Sequence, residues 1–168
     1  AGLWNGDPDI DAVCRIAGGP FNLEFPDMEF IIDNNCFSPY NTQNTLFSRR
    51  VSPAMCLMFF VGRMDDIWAS YMTQRIMREI DSHVLFTGPT VFQDRNEHDL
   101  SIDLESEMIG YRNTESFIDK LNQIDLSRCT EVIEMYDKIV EEISNLDFIK
   151  KEVTSFQRAW LEDISKIL

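Results

Sequence analysis

Two adjacent aspartates, Asp65 and Asp66, stand in the stretch "GRMDDIWASY" between an apolar run and a tryptophan. A carboxylate fixed at the start of a helix can take a proton from a hydroxyl nucleophile. It is also at home there, because unpaired backbone N–H groups and the helix dipole favour negative charge. The plainer reading of the same pair is an N-cap followed by a first-turn acid. Arg63, just before them, is placed to pair with Asp65 or to reach a phosphate, and Gly62 would let a ligand approach the backbone closely. Trp68 joins this group as a candidate substrate contact, although it also falls on a helical apolar spacing.

Three further stretches carry chemistry-bearing residues. In "QDRNEHDL", His98 beside an aspartate could help hold a divalent ion and Arg95 could answer a diphosphate, with Asn96 between them; an exposed polar loop explains the same text. In "NGDPDIDAVCRI", Asp7, Asp9 and Asp11 alternate as in a calcium loop, but the bidentate glutamate is missing and Pro8 interrupts the pattern, which excludes an EF-hand. A loop presenting Asp9 or Asp11, with Arg15, toward an acceptor pocket is one reading, and Asn-Gly and Asp-Pro turn chemistry is the other. In "SPYNTQNTLFSR", Asn41, Thr42, Gln43, Asn44 and Thr45 cluster beside Phe37, Tyr40 and Phe47. That mixture suits a carbohydrate, whose hydroxyls need directional partners and whose faces need a ring, and it equally suits a well-packed loop.

The elements that would hold these residues are partly legible. From residue 1 to about residue 50 turn formers punctuate short apolar stretches, as expected of strands and long loops over a sheet. "AMCLMFFVG" reads as a buried strand, and Ile67, Trp68, Tyr71, Met72, Ile76, Met77 and Ile80 then recur at helical spacing, so the aspartate pair is expected at a strand-to-helix junction. Ligands of α/β sheets commonly bind beyond the carboxyl ends of strands. "HVLFTGPTVF" reads as a second strand broken by a Gly-Pro turn. After it, helices are expected over "SIDLESEMIGY", capped by Ser101, and over "NTESFIDKLNQI", starting at Asn113 or Thr114. Two more follow, with stripes at Ile133, Tyr136, Ile139, Val140 and Ile143, then at Val153, Phe156, Trp160 and Ile164.

Bulk properties narrow the classes. The chain of 168 residues, 44% hydrophobic, can bury one real core. Its formal charge of −14 disfavours nucleic acid as a partner, since binding a polyanion relies on Lys and Arg. Cys14, Cys36, Cys56 and Cys129 make no CxxC pair, and no apolar run approaches the ~18 residues of a membrane span. GxSxG, P-loop, GxGxxG and HExxH signals are absent. The start at Ala1, without an initiator Met and directly before a motif, suggests a piece of a longer protein with sequence upstream.

In order along the chain, "NGDPDIDAVCRI", "NTQNTLF", "GRMDDIWASYMTQRI" and "QDRNEHDLSIDLESEMIGYRNT" resemble successive blocks of the STELLO family of glycosyltransferases, over about residues 4 to 123. The resemblance implies an α/β fold, the C-terminal part of a GT-A-like, Rossmann-like glycosyltransferase domain over residues 1–126, with a helical extension over 127–168 packing on it. It further implies a nucleotide-sugar donor, a glycan acceptor, Mn2+ or Mg2+, and, in eukaryotic members, the luminal side of the Golgi with a membrane anchor upstream; otherwise a cytoplasmic setting is expected. "MDD" resembles the acidic pair of GT-A enzymes, making Asp66 the candidate base and Asp65 its neighbour. His98 is the candidate metal ligand, with His83 as the runner-up. The D-I-D of Asp9 and Asp11 falls in a block that follows the family's metal-binding acids and is not assigned the donor-binding role. The rival expectation is a non-catalytic scaffold or trafficking factor with protein partners in a polysaccharide-synthesis complex.

Overall fold

The computed structural model describes residues 1–167. Strands β1 (Gly2–Gly6), β2 (Glu29–Ile31) and β3 (Leu85–Gln93) form a sheet in the order β1-β3-β2, with β1 parallel and β2 antiparallel to β3. Gly88 and Pro89 do not break β3; they lie where its register against β1 slips, between the Gly2–Thr87 and Trp4–Val91 pairs. An irregularity of that kind tolerates a proline, which has no N–H for the ladder. The chain is therefore α/β, but among the described residues this small open sheet is not a full Rossmann-like core.

Among the described residues five helices accompany the sheet: α1 (Ala12–Gly18), α2 (Asp65–Glu79), α3 (Leu100–Gln123), α4 (Val132–Ile143) and α5 (Lys151–Ile164). Helix α2 is the axis of the core. Trp68, Met72 and Ile76, spaced one helical turn apart, are all fully buried. Phe117 of α3 stacks on Trp68 with ring centroids 4.8 Å apart, and Tyr136, Ile139 and Ile143 of α4 close the other side. Val153 and Leu161 of α5 join the same cluster.

The sequence misleads in several places. "AMCLMFFVG" is not a strand: a 3-10 segment at Arg49–Ala54 leads into irregular chain, and a 3-10 turn at Gly62–Met64 precedes α2. Alternate residues Ala54, Cys56 and Met58 are still buried, which is the source of the strand-like pattern. The chain turns there because Phe60 and Gly62 have positive φ, and Met58 N–H donates back to the Asp65 carbonyl. Asp65 and Asp66 thus open α2 after a turn, not after a strand.

The two helices expected over residues 101–124 are one, α3, capped by Asp99 in place of Ser101. Asn113 and Thr114 do not interrupt it, because each finds a partner compatible with helix: Asn113 Nδ2 donates to the Ile109 carbonyl, and Thr114 Oγ1 accepts from Trp68 Nε1. In α5 the buried face is Val153, Thr154, Gln157 and Leu161, rotated from the expected stripe. Phe156 instead meets Phe59 edge-on, and Trp160 Nε1 donates to the Pro53 carbonyl.

Gly62 sits at φ +65, and a Cβ added there would lie 2.2 Å from the Ser106 carbonyl oxygen of α3. The glycine therefore admits a neighbouring helix, not a ligand. Gly62→Ala carries about 1–2 kcal/mol for the left-handed backbone alone, with the collision against a backbone oxygen added to it. A urea unfolding midpoint close to that of the parent would contradict this packing.

Candidate functional site

Arg63 and α3 bring the first half of the chain onto the second. The Arg63 guanidinium donates through Nη2 to Asp9 Oδ1, through Nη1 to Asp103 Oδ1 and through Nε to Glu107 Oε1, each at 3.2 Å. Arg95, its side chain only 6% exposed, pairs with the same Asp9 and Asp103. Glu107 Oε2 also accepts the Ala12 N–H at the start of α1 at 2.8 Å. The β1–α1 loop, the turn before α2, the β3–α3 loop and α3 itself are thereby tied into one charged cluster.

Beside this cluster opens a cleft of 450 Å³. It is lined by Asp66, Ile67 and Tyr71 of α2, Asp9 and Asp11 of the β1–α1 segment, Asn41, and Glu107, Tyr111 and Thr114 of α3. Gly110 lets α3 approach closely, since a Cβ there would fall 2.3 Å from Met64 Sδ. Asp66 Oδ2 accepts the Thr42 N–H at 3.3 Å. Burial raises the pKa of Asp66 above the usual carboxylate range; the Asp65 charge adds to the rise and the Thr42 bond opposes it. Asp11 caps α1 and accepts from Tyr111 Oη at 2.6 Å. Burial acts to raise Asp11, but that hydroxyl and nearby backbone N–H groups outweigh it, leaving its pKa lowered. Tyr111 is raised in turn, by desolvation first and then by its bond to Asp11, so it remains a donor.

The cleft unites Asp66, Asp9, Asp11, Asn41 and Arg63 from the sequence expectations. Other candidates lie elsewhere. Asp65 is spent on the helix start, its Oδ1 accepting the Asp66 N–H. Trp68 is fully buried against Phe117 and reaches the cleft only by holding Thr114. Arg15 is buried and fastens the β1–α1 loop through Asp7, at 2.7 Å, and the Pro8 carbonyl. Gln43, Asn44 and Thr45 line a separate, larger cleft of 790 Å³, together with His83. Asn96 lies exposed in the β3–α3 loop. Arg95 is consumed by its two carboxylates, which leaves it poorly placed to meet a diphosphate.

A divalent ion at His98 is not favoured by the donor set. His98 Nδ1 lies 3.0 Å from Asp103 Oδ2, and that carboxylate already serves Arg63 and Arg95. Among the described residues no three His, Cys, Asp or Glu side chains are grouped to hold a metal. The residues at His98 therefore do not fit a metal centre.

Sequence reasoning missed Asp103, Glu107, Tyr111 and Thr114. Their spacing of three and four residues places them on one face of α3, so a polar stripe was the available signal. Taken together, the cleft holds four carboxylates, Asp9, Asp11, Asp66 and Glu107, of which burial raises the pKa of Asp66, with the amide of Asn41, the hydroxyls of Tyr111 and Thr114 and apolar walls at Ile10, Met64 and Ile67. Its cation, Arg63, is already compensated by three acids.

The model of the family described as STELLO glycosyltransferases matches residues 63–168. The match takes in the blocks from Arg63 onward and continues through α4 and α5, where the sequence itself carried no nameable resemblance; the blocks before residue 63 lie outside it. No curated protein matches the chain.

A lysine cannot span three carboxylates as a guanidinium does. Arg63→Lys keeps the charge but loses the fork, and with Arg63 30% exposed it is expected to destabilise the fold by about 1.5–3 kcal/mol, the range for hydrogen bonds to charged groups. Chemical denaturation reads this directly, and an unchanged free energy would show that the cluster does not hold the loops together.

Proposed function

We propose, from the premise that this chain belongs to the STELLO glycosyltransferase family, that it carries the acceptor side and the general base of a sugar transferase. The observation that carries this is the partly desolvated Asp66 carboxylate in a cleft it shares with the polar side chains of Asn41, Tyr111 and Thr114. An acceptor hydroxyl bound between Asn41, Tyr111 and Thr114 attacks the anomeric carbon of a nucleotide sugar. The bond from that carbon to the diphosphate oxygen breaks, its electron pair leaving with the nucleoside diphosphate. The hydroxyl proton passes to Asp66, with Thr42 holding Oδ2 and Oδ1 left to receive it. A base with a raised pKa suits this step, since proton transfer is most effective when the base titrates nearer the working pH.

The cluster of Asp9, Asp103 and Glu107 leaves no spare positive charge here for a diphosphate. The donor phosphates are thus assigned to groups other than Arg63 and Arg95. A Golgi, luminal setting belongs to the same proposal and is carried by family membership. Among the described residues no helix is long and apolar enough to cross a membrane. The alternative, a non-catalytic scaffold for a polysaccharide-synthesis complex, has in its support the exposed Phe59 and Phe60 beside Phe156.

The test is nucleoside diphosphate release from a panel of sugar nucleotides, with and without manganese, by the full-length protein and its Asp66→Asn variant. The variant is expected to lose about 100-fold or more in turnover, the lower bound of a typical general base. The parent's rate should rise with pH through an apparent pKa above the usual aspartate value, a limb the variant lacks. Because the folded-state pKa of Asp66 lies above its unfolded value, its charge costs stability as pH rises through that pKa. Asp66→Asn should therefore melt no lower than the parent at neutral pH. Release unaffected by the substitution would remove Asp66 as the base, and no release with any donor from folded protein would favour the scaffold.

A further inference from the structure

The cleft at Asp66 does not end there. A small section of 180 Å³, lined by Trp4, Phe25, Phe86 and the Asp9, Pro39 and Asn41 that it shares with the Asp66 cleft, adjoins it. On its other side the same section shares Ala1, Gly2 and Tyr40 with the 790 Å³ cleft that holds Gln43, Asn44 and His83. Each end lies in the range of about 300–1,000 Å³ typical of small-molecule sites. The Tyr40–Thr45 stretch forms the common wall. It is internally braced, with Asn41 Oδ1 accepting from the Gln43 and Asn44 N–H groups and Thr45 Oγ1 donating to the Asn41 carbonyl at 2.5 Å. Asn44 in turn donates to the Leu3 carbonyl and accepts from Thr90, fixing the wall to β1 and β3.

The chemistry of the lining selects an occupant. No lysine or arginine lines the large cleft or the middle section, which disfavours phosphate, sulfate or uronate groups. Gln43, Ser48, Ser82 and His83 offer amide, hydroxyl and imidazole groups along the large cleft, and Leu46, Phe47 and Leu85 offer apolar faces. Tyr40, its pKa pushed up to about 12 by burial, keeps its hydroxyl proton. In the middle, Trp4 is only 9% exposed, yet its Nε1–H has no protein partner. A buried donor left unmade is costly, and although the nitrogen itself is closed to solvent, a small shift of the indole edge toward the middle section would let an incoming oxygen satisfy it.

We infer that these three sections form one groove that seats several consecutive units of a neutral oligosaccharide, with the reacting hydroxyl at Asp66, Trp4 Nε1 donating to an inner unit, and Gln43 and His83 contacting a distal one. The inference rests on the acceptor reading of the Asp66 cleft and extends it to the length and charge of the acceptor.

Calorimetric binding to the full-length protein, without donor, tests it using gluco-, manno- and xylo-configured oligosaccharides of one to six units and an oligogalacturonide ladder as the charged control. At least one neutral ladder should bind with affinity that climbs over the first several units. Trp4→Phe, which removes the donor but keeps a ring, should weaken long members by about three- to tenfold, as expected for one hydrogen bond. Gln43→Ala should weaken long members and leave the shortest unchanged. Equal affinity for one unit and six, no neutral ladder bound, preference for the charged ladder, or no effect of either substitution would each overturn the groove. Because donor is absent, the outcome is independent of turnover. Length-dependent binding without any sugar transfer would sustain the groove and defeat the transferase reading, whereas transfer to single-unit acceptors with flat binding would do the reverse.

Discussion

One guanidinium shared by three carboxylates organises this molecule. Arg63 draws Asp9 from the loop after β1 and Asp103 and Glu107 from α3 onto the turn that opens α2. Without such a cation the acids would repel one another across a partly buried space, where charge interactions are stronger than in water. Arg95 adds a second positive charge to Asp9 and Asp103, and Glu107 passes the connection on to the backbone of α1. In a chain of formal charge −14 two arginines are thus committed to one cluster. The cost is that neither is left for a phosphate, so the cleft beside the cluster carries carboxylates and no free arginine.

The hydrophobic core supplies the other half of the arrangement. The buried faces of α2 and α3 meet through the stacked rings of Trp68 and Phe117, and the indole N–H also holds Thr114 at the cleft. One residue therefore joins core packing to the site without touching a ligand. Close approach at Gly62 to the α3 backbone, and at Gly110 to the Met64 side chain, lets α3 pack near the start of α2. The sheet holds the remaining wall, through the bonds of Asn44 to Leu3 and Thr90.

How much of this was legible in the sequence depended on how local each signal was. Helix α2 could be read because its apolar residues repeat at the helical period, and the aspartate pair stood out as acids at a helix start. The strand over "AMCLMFFVG" could not be refuted from sequence, because alternate burial of Ala54, Cys56 and Met58 imitates a strand that has no sheet neighbour. The division of α3 failed for a related reason: Asn113 and Thr114 look like helix starters until Ile109 and Trp68 are seen to engage them. Asp9 and Asp11 were visible as site candidates. Their link to Asp103 and Glu107 through Arg63, and to Tyr111 directly, was not, since those α3 residues lie about a hundred residues away along the chain and only the fold brings them together. The grouping of "NTQNT" concealed a divide, with Asn41 at the Asp66 cleft and Gln43, Asn44 and Thr45 at the larger one.

The role proposed for Asp66 depends on this packing raising the pKa of its carboxyl by burial. Its protonation can be followed by carbon-detected NMR titration of the aspartate side-chain carboxyls, with the Asp66 signal assigned by its loss in Asp66→Asn. A midpoint above the ordinary aspartate value of about 3.9, in folded protein, is the result expected here. A midpoint at or below that value would mean that Asp66 is a solvated helix-start acid, and the assignment of the cleft as a catalytic site would fall with it.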